Sequence, residues 1–324
     1  MPSTTLRCRA SAPNATALRV AAAALATAVA TFAFCAPAAA QKDGVQVQNP
    51  VVTTTDRWNI ALTYYESPGD RESPVVVLLH MKGGNRLVWN NGFAEELNKE
   101  GYAVIAVDLR GHGESKPTSA ALAASGRSRP GKDLKAADYQ FMVTQDLEAV
   151  KQFIFDEHQR EKLNMRKMAI IATEMSAPVA MNFAMLDWLK RPYNDAPTPA
   201  LQTPRGQDVR ALVLISPEEQ LSGMNTNDAV QALRTPEWNV SFLVAYGNKD
   251  RKDAGTSQKL YKKLTQVSEN EHRMYLADYP IKLRGTDLFG QPGGRIESNI
   301  LTFLDKHLKQ LPDTWRDRKS PLVD

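Results

Sequence analysis

The chain has 324 residues, of which 43% are hydrophobic and 23% charged, with a formal net charge of +4. Part of that charge belongs to residues 1–40, which hold Arg7, Arg9 and Arg19 and no acid; residues 41–324 carry +1, and no basic stripe with interleaved aromatics argues for nucleic acid. Both cysteines, Cys8 and Cys35, lie in the same forty residues, so the remainder can hold no disulfide and depends on a hydrophobic core.

The three arginines precede an uncharged apolar run, Val20–Phe34, and Ala38-Ala39-Ala40 before Gln41 fits a small-residue cleavage site. The run is shorter than the ~20 apolar residues a spanning helix needs. Residues 1–40 therefore read as a secretory signal that is removed, with no membrane span left behind and a periplasmic or extracellular destination. Phe34 stands where a lipoprotein signal ahead of Cys35 wants a small residue, which argues against lipidation. Residues 41–52 read as a linker, 53–309 as one domain and 310–324 as a charged peripheral tail. The 284 residues after the signal suit a single α/β unit, which commonly runs to roughly 200–250 residues.

From residue 50 onward apolar strands alternate with amphipathic helices, without internal repeats. Trp58–Tyr65 alternates like an early antiparallel strand, while Val75–Leu79 and Ala103–Val107 are short continuous apolar runs, as in strands buried on both faces of a parallel sheet. Helical spacing covers 87–99 and 143–155. Further strands are expected at Met168–Ala172, Ala211–Ile215, Ser241–Tyr246 and Arg273–Leu276, with helices starting at Ser176 and spanning 296–308. The pattern predicts a doubly wound, mostly parallel α/β sheet of about eight strands. Only some two dozen residues separate the strand ending near Pro217 from the one at Ser241, which leaves little or no room for a cap. The segments 115–137 and 191–208 read as surface loops.

Three segments carry a family resemblance. Thr173-Glu174-Met175 forms a tight turn between a buried strand and the helix at Ser176, and resembles the nucleophile elbow of the α/β-hydrolases, with Ala172 and Ser176 at its small-residue positions. Leu78-Leu79-His80-Met81-Lys82-Gly83-Gly84 looks like the family's His-Gly loop. Asp108-Leu-Arg110-Gly111-His112-Gly113-Glu-Ser115 resembles its D-x-R-G-H-G-x-S turn, whose glycines allow unusual backbone angles and in which Asp108 and Arg110 are expected to tie the turn together. The resemblance runs from about residue 53 to 309 and points to the esterase-like and lipase-like members.

It implies a triad in the order nucleophile, acid, histidine. Glu174 occupies the nucleophile position, Asp250 follows Tyr246-Gly-Asn-Lys as the expected acid, and Arg284 stands where the histidine belongs. None of the five histidines, His80, His112, His158, His272 and His307, falls in that last loop. An arginine stays protonated at any working pH and cannot act as the base. Glu174 and Arg284 are instead expected to meet in a salt bridge shared with Asp250.

Met175 and the loop at Met81 and Lys82 correspond to the family's oxyanion donors, with Met81 at a usual glycine position and able to close the approach. Ser176 reads as the small elbow residue and helix cap rather than as a displaced nucleophile. No H-E-x-x-H or similar spacing suggests a metal, and no cofactor is implied. The expectation is an exported, non-catalytic protein that binds an unknown small molecule or protein, or serves as a scaffold. The alternative is an active hydrolase of esters or related acyl bonds with a rearranged site using Ser176 or Glu174.

Overall fold

A computed structural model describes residues 45–125, 134–292 and 295–323; the expected signal, residues 1–40, lies outside them. The chain begins with two short exposed strands, β1 (Val47–Gln48) and β2 (Val51–Thr53), both antiparallel to β3 (Trp58–Tyr65). Residues 41–52, expected to be a linker, thus include sheet edge. There follow β4 (Pro74–Leu79), α1 (Phe93–Lys99), β5 (Ala103–Val107), β6 (Lys116–Pro117), α2 (Ser119–Ser125), α3 (Ala136–Phe141) and α4 (Leu147–Gln159). The second half holds β7 (Asn164–Thr173), α5 (Ser176–Leu189), β8 (Val209–Ile215), the small β9 (Gln220–Leu221) and β10 (Met224–Asn225) pair, and α6 (Asn227–Leu233). It closes with β11 (Ser241–Gly247), α7 (Thr256–Leu264), β12 (Met274–Tyr279) and α8 (Ile296–Leu304).

The sheet order is β1-β3-β5-β4-β7-β8-β11-β12, with β2 and β6 also pairing to β3. From β5 to β12 every pairing is parallel. Alternate residues of β4 feed two separate cores. Val75, Val77 and Leu79 pack with the α4 and α5 side, and Val76 and Leu78 with α1 and α8. Burial on both faces is what makes these strands continuous apolar runs.

Some boundaries differ from the sequence reading for local reasons. The helix expected over 87–99 is split by Asn90-Asn91-Gly92, where Gly92 takes φ +100°. The helix expected from Val143 begins as a wide five-residue turn over Met142–Asp146 before α4. Part of the expected loop 115–137 is α2. The tail is not peripheral: Arg318 and Ser320 are buried, the Arg318 guanidinium pairs with Asp208, and Trp315 lies against His158 with ring centroids 5.0 Å apart. A charged segment reads as exterior in sequence, but Asp208 supplies the interior countercharge that allows it inside.

Candidate active site

β7 carries ten residues, nearly all buried, to the top of the sheet and ends at Thr173. The next residue, Glu174, adopts φ +49°, a left-handed conformation that a side chain occupies at a cost of about 1–2 kcal/mol. The turn persists because its neighbours fix it: Glu174 N–H donates to Ile215 O (3.0 Å), and Glu218 N–H donates to Glu174 O (3.3 Å). Beyond it α5 is mostly apolar and mostly buried, as a helix central to a large core must be, with Asp187 near its end paired to Lys151. Pro178 fits in its first turn, where its missing N–H has no intrahelical acceptor in any case.

Ser176 is fully buried, and its hydroxyl is engaged inward. It accepts from Thr173 N–H (2.8 Å) and lies 2.9 Å from Thr173 O and 3.2 Å from Leu79 O as a donor. The serine is the first residue of the helix. Met175 holds the cap position, without a side-chain cap bond, so the capping role expected of Ser176 is corrected: its hydroxyl ties the strand ends together beneath the turn.

Glu174, Arg284 and Asp250 meet. Arg284 Nε lies 2.9 Å from Glu174 Oε2, a charge contact rather than an aligned hydrogen bond, and Nη1 donates to Asp250 Oδ2 at 3.1 Å. Burial disfavours the Arg284 charge, but the two carboxylates outweigh it and hold its pKa above the ordinary value. At Gly285, φ +56° disfavours a side chain, and a Cβ there would sit 2.5 Å from Glu174 Oε1 and displace the carboxylate. The glutamate therefore fills the space between the elbow and the loop after β12.

Met175 is buried directly behind Glu174. Across from it, Met81 Sδ accepts from Thr286 Oγ1 (3.4 Å), so the methionine side chain reaches from the loop after β4 to the loop that carries Arg284. Lys82 is exposed beside it. His80 is buried, donating from Nδ1 to Met81 O (2.7 Å) and accepting at Nε2 from Leu109 N–H (3.2 Å), and burial lowers its pKa to about 4. Among the described residues no histidine hydrogen-bonds to Glu174, Ser176, Asp250 or Arg284.

In the turn after β5, a Cβ on Gly113 (φ +52°) would sit 2.1 Å from Asp108 Oδ2, and Gly111 also has positive φ. Asp108 accepts from Glu114 N–H and from the backbone and guanidinium of Arg86. Arg110 points elsewhere, to Asp146 (2.6 Å) and Asp56 (2.8 Å). So Asp108 ties the turn internally, as expected, while Arg110 anchors it to the segment before α4 and to the lead into β3. His112 lies over His80, ring centroids 4.7 Å apart.

A sequence profile of the alpha/beta hydrolase fold matches residues 74–275, more than half of the chain. The chain belongs to the α/β-hydrolase family. Among solved structures, an esterase from Pyrococcus furiosus superimposes with a TM-score of 0.57 at 15% identity, covering 82% of this chain and 92% of that one. A dienelactone hydrolase from Anabaena variabilis gives 0.54 at 16% identity, covering 82% and 99%. At these identities the likeness is one of fold. No curated protein matches the sequence.

Within this α/β-hydrolase the sequence reading missed Glu218 and Ser216. Glu218 is half-buried next to the cluster; burial and the Glu174 carboxylate raise its pKa against the pull of Arg284 and Lys82. Ser216, at φ +48°, accepts from Gly285 N–H through Oγ (3.1 Å) and faces Arg284 Nη2 with its carbonyl (3.4 Å). Their signal was positional: both 216 and 218 lie just past a strand end that borders the elbow.

Proposed function

We propose that this α/β-hydrolase is an exported protein that binds a ligand or serves as a scaffold through its elbow face and does not hydrolyse acyl bonds. The observation that carries the reading is the contact of Arg284 with Glu174 and Asp250 where the family places its catalytic groups. A hydrolytic elbow needs a nucleophile and a neighbouring group that accepts its proton. Arg284 is held protonated, Glu174 is engaged by it, and the neighbouring Ser176 hydroxyl faces the interior. Export is supported by the arginines at 7, 9 and 19, the apolar run after them and the Ala38–Ala40 site.

A second reading, hydrolysis through Glu174, has one observation in its favour. Glu218, whose pKa burial raises, stands beside Glu174, and a carboxyl with a raised pKa next to a second carboxyl is the usual equipment for paired acid and base work. Treating the purified chain with a serine-directed fluorophosphonate and a panel of short activated esters separates the readings. The expected result is neither labelling nor turnover. Labelling at Ser176, or turnover lost in Glu174→Ala and in Glu218→Gln, overturns the non-hydrolytic reading.

A further inference from the structure

A cavity of about 840 Å³ opens at the other end of the sheet, between α4, the 190–205 loop and the C-terminal tail. Met165, at the start of β7, lines it, whereas Glu174 follows the end of the same strand. Ten residues at about 3.3 Å each place the cavity roughly 30 Å from the elbow. Its volume lies in the ordinary range of small-molecule sites.

The lining has two characters. Phe155, Met165, Tyr193, Pro204, Pro321 and Val323 give it apolar walls. Its charged lining consists of five cations and one acid, Glu148. Three of the cations are already matched: Lys190 with Glu148 at 2.7 Å, and Lys151 and Arg318 with the buried carboxylates of Asp187 and Asp208. Arg205 makes no salt bridge among the described residues, its guanidinium lying over the Tyr193 ring 5.0 Å from the centroid, and Lys319 forms no close ion pair, although the neighbouring Asp317 carboxylate feels its charge and accepts its backbone N–H. With Glu148, Asp187, Asp208 and Asp317 counted against the five cations, the site keeps an excess of one positive charge. Arg205 and Lys319 are exposed at the rim, while the apolar groups form the walls.

We propose that this cavity is a binding site for an amphipathic small-molecule anion, with an apolar body among Phe155, Met165 and Pro204 and a carboxylate or phosphate head at Arg205 and Lys319. The arrangement rewards both halves of such a ligand. The walls take up the apolar body, and the guanidinium and ammonium donate charge-assisted hydrogen bonds to the head. A neutral ligand of the same shape forgoes the second part, and a short hydrophilic anion the first.

Calorimetric titration of the full chain with dodecanoate below its micellar concentration tests the site, with dodecanol and acetate for comparison and dodecyl phosphate to separate a carboxylate from a phosphate head. Dodecanoate or dodecyl phosphate is expected to bind and the other two to bind at least about tenfold more weakly. Arg205→Gln with Lys319→Gln, both exposed, is expected to weaken the anion about tenfold or more, the loss of two hydrogen bonds to a charged group. Gln152→Trp, on an exposed position of α4 that lines the cavity, is expected to block binding by filling it. Glu174→Ala should leave binding unchanged. Equal affinity for dodecanol, undiminished affinity in the double variant or in Gln152→Trp, or loss of binding in Glu174→Ala would each overturn the assignment.

Discussion

The charge clusters at the two ends of β7 are built on opposite terms. Near its start, Lys151, Asp187, Asp208 and Arg318 have side chains no more than 7% exposed and join α4, α5, the loop before β8 and the tail. Near its end, Arg284 and Glu174 are 16% and 19% exposed and join two loops that the strand ends already hold in place. The first cluster is part of the framework, because four segments lose their common anchor if it opens. The second rests on a framework that backbone hydrogen bonds at Ile215 and Ser216, and that of Gly285 N–H to the Ser216 hydroxyl, maintain without it. That difference explains how the residue types at an elbow can change while the fold persists: the turn requires a left-handed residue and small neighbours, and nothing in its architecture requires a serine.

Removing one partner from a buried pair strands a charge away from water, which costs about 3–5 kcal/mol. Asp208→Ala does this to Arg318 and leaves the buried Lys151 with Asp187 alone, and should give the largest loss of stability. Burial opposes the Lys151 charge, yet Asp208 and Asp187 hold its pKa above the ordinary value. Urea denaturation reads the effect directly. A loss below about 1 kcal/mol would place the cluster with ordinary surface pairs and erase the contrast with the elbow.

Acid titration asks whether burial or position decides. His80 lies on the elbow side of the sheet but is buried like the other cluster, and its folded pKa of about 4 is below the ordinary 6.5. The unfolded chain takes up its proton first. The contribution is therefore intact above pH 6.5 and lost as pH falls from 6.5 to 4, about 3 kcal/mol in all. Burial lowers His112 as well, so the neighbouring ring adds to the loss in the same direction. His80→Asn should remove its own share of this slope in a plot of unfolding free energy against pH, leaving those of His112, His158 and His307, whose pKa values burial also lowers. An unchanged slope would move the acid sensitivity to other groups.

The parts of this architecture that follow from local pattern were legible in the sequence. Continuous apolar strands, the glycines around Asp108 and the strand-turn-helix at Glu174 each arise from a constraint that acts within a few residues. The meeting of Glu174 with Arg284 was legible for a different reason: the fold fixes two directions in space, and opposite charges at both leave little else for the side chains to do. What was hidden depends on distant partners. Arg318 looks like a solvated charge until Asp208 is seen beneath it, and Arg86 gives no sign that it pairs with Asp108. The edge strands at 47–53 are too short and exposed to leave a hydrophobic period. The hydroxyl of Ser176 could be read as a cap because a sequence does not say which way a side chain points.

The smallest effects are expected at the elbow itself, and their asymmetry is informative. Glu174→Gln leaves Arg284 paired with Asp250, so its cost should be a few tenths of a kcal/mol. Arg284→Gln removes the cation that Glu174, Asp250 and Glu218 share, and should cost about 1 kcal/mol. A double-mutant cycle between 174 and 284 should return a coupling of about 0.2–1 kcal/mol, the range of partly exposed pairs. Burial and the Glu174 carboxylate hold the Glu218 pKa above its ordinary value against the pull of Arg284, so Glu218 takes up a proton as pH falls into mild acid, and its protonation relieves the repulsion left by Arg284→Gln. The cost of that substitution should therefore shrink under mild acid. A loss of 3 kcal/mol or more, independent of pH, would mean that the elbow pair holds the fold as firmly as the buried cluster does, and that its charges are architecture rather than a surface offered to a ligand.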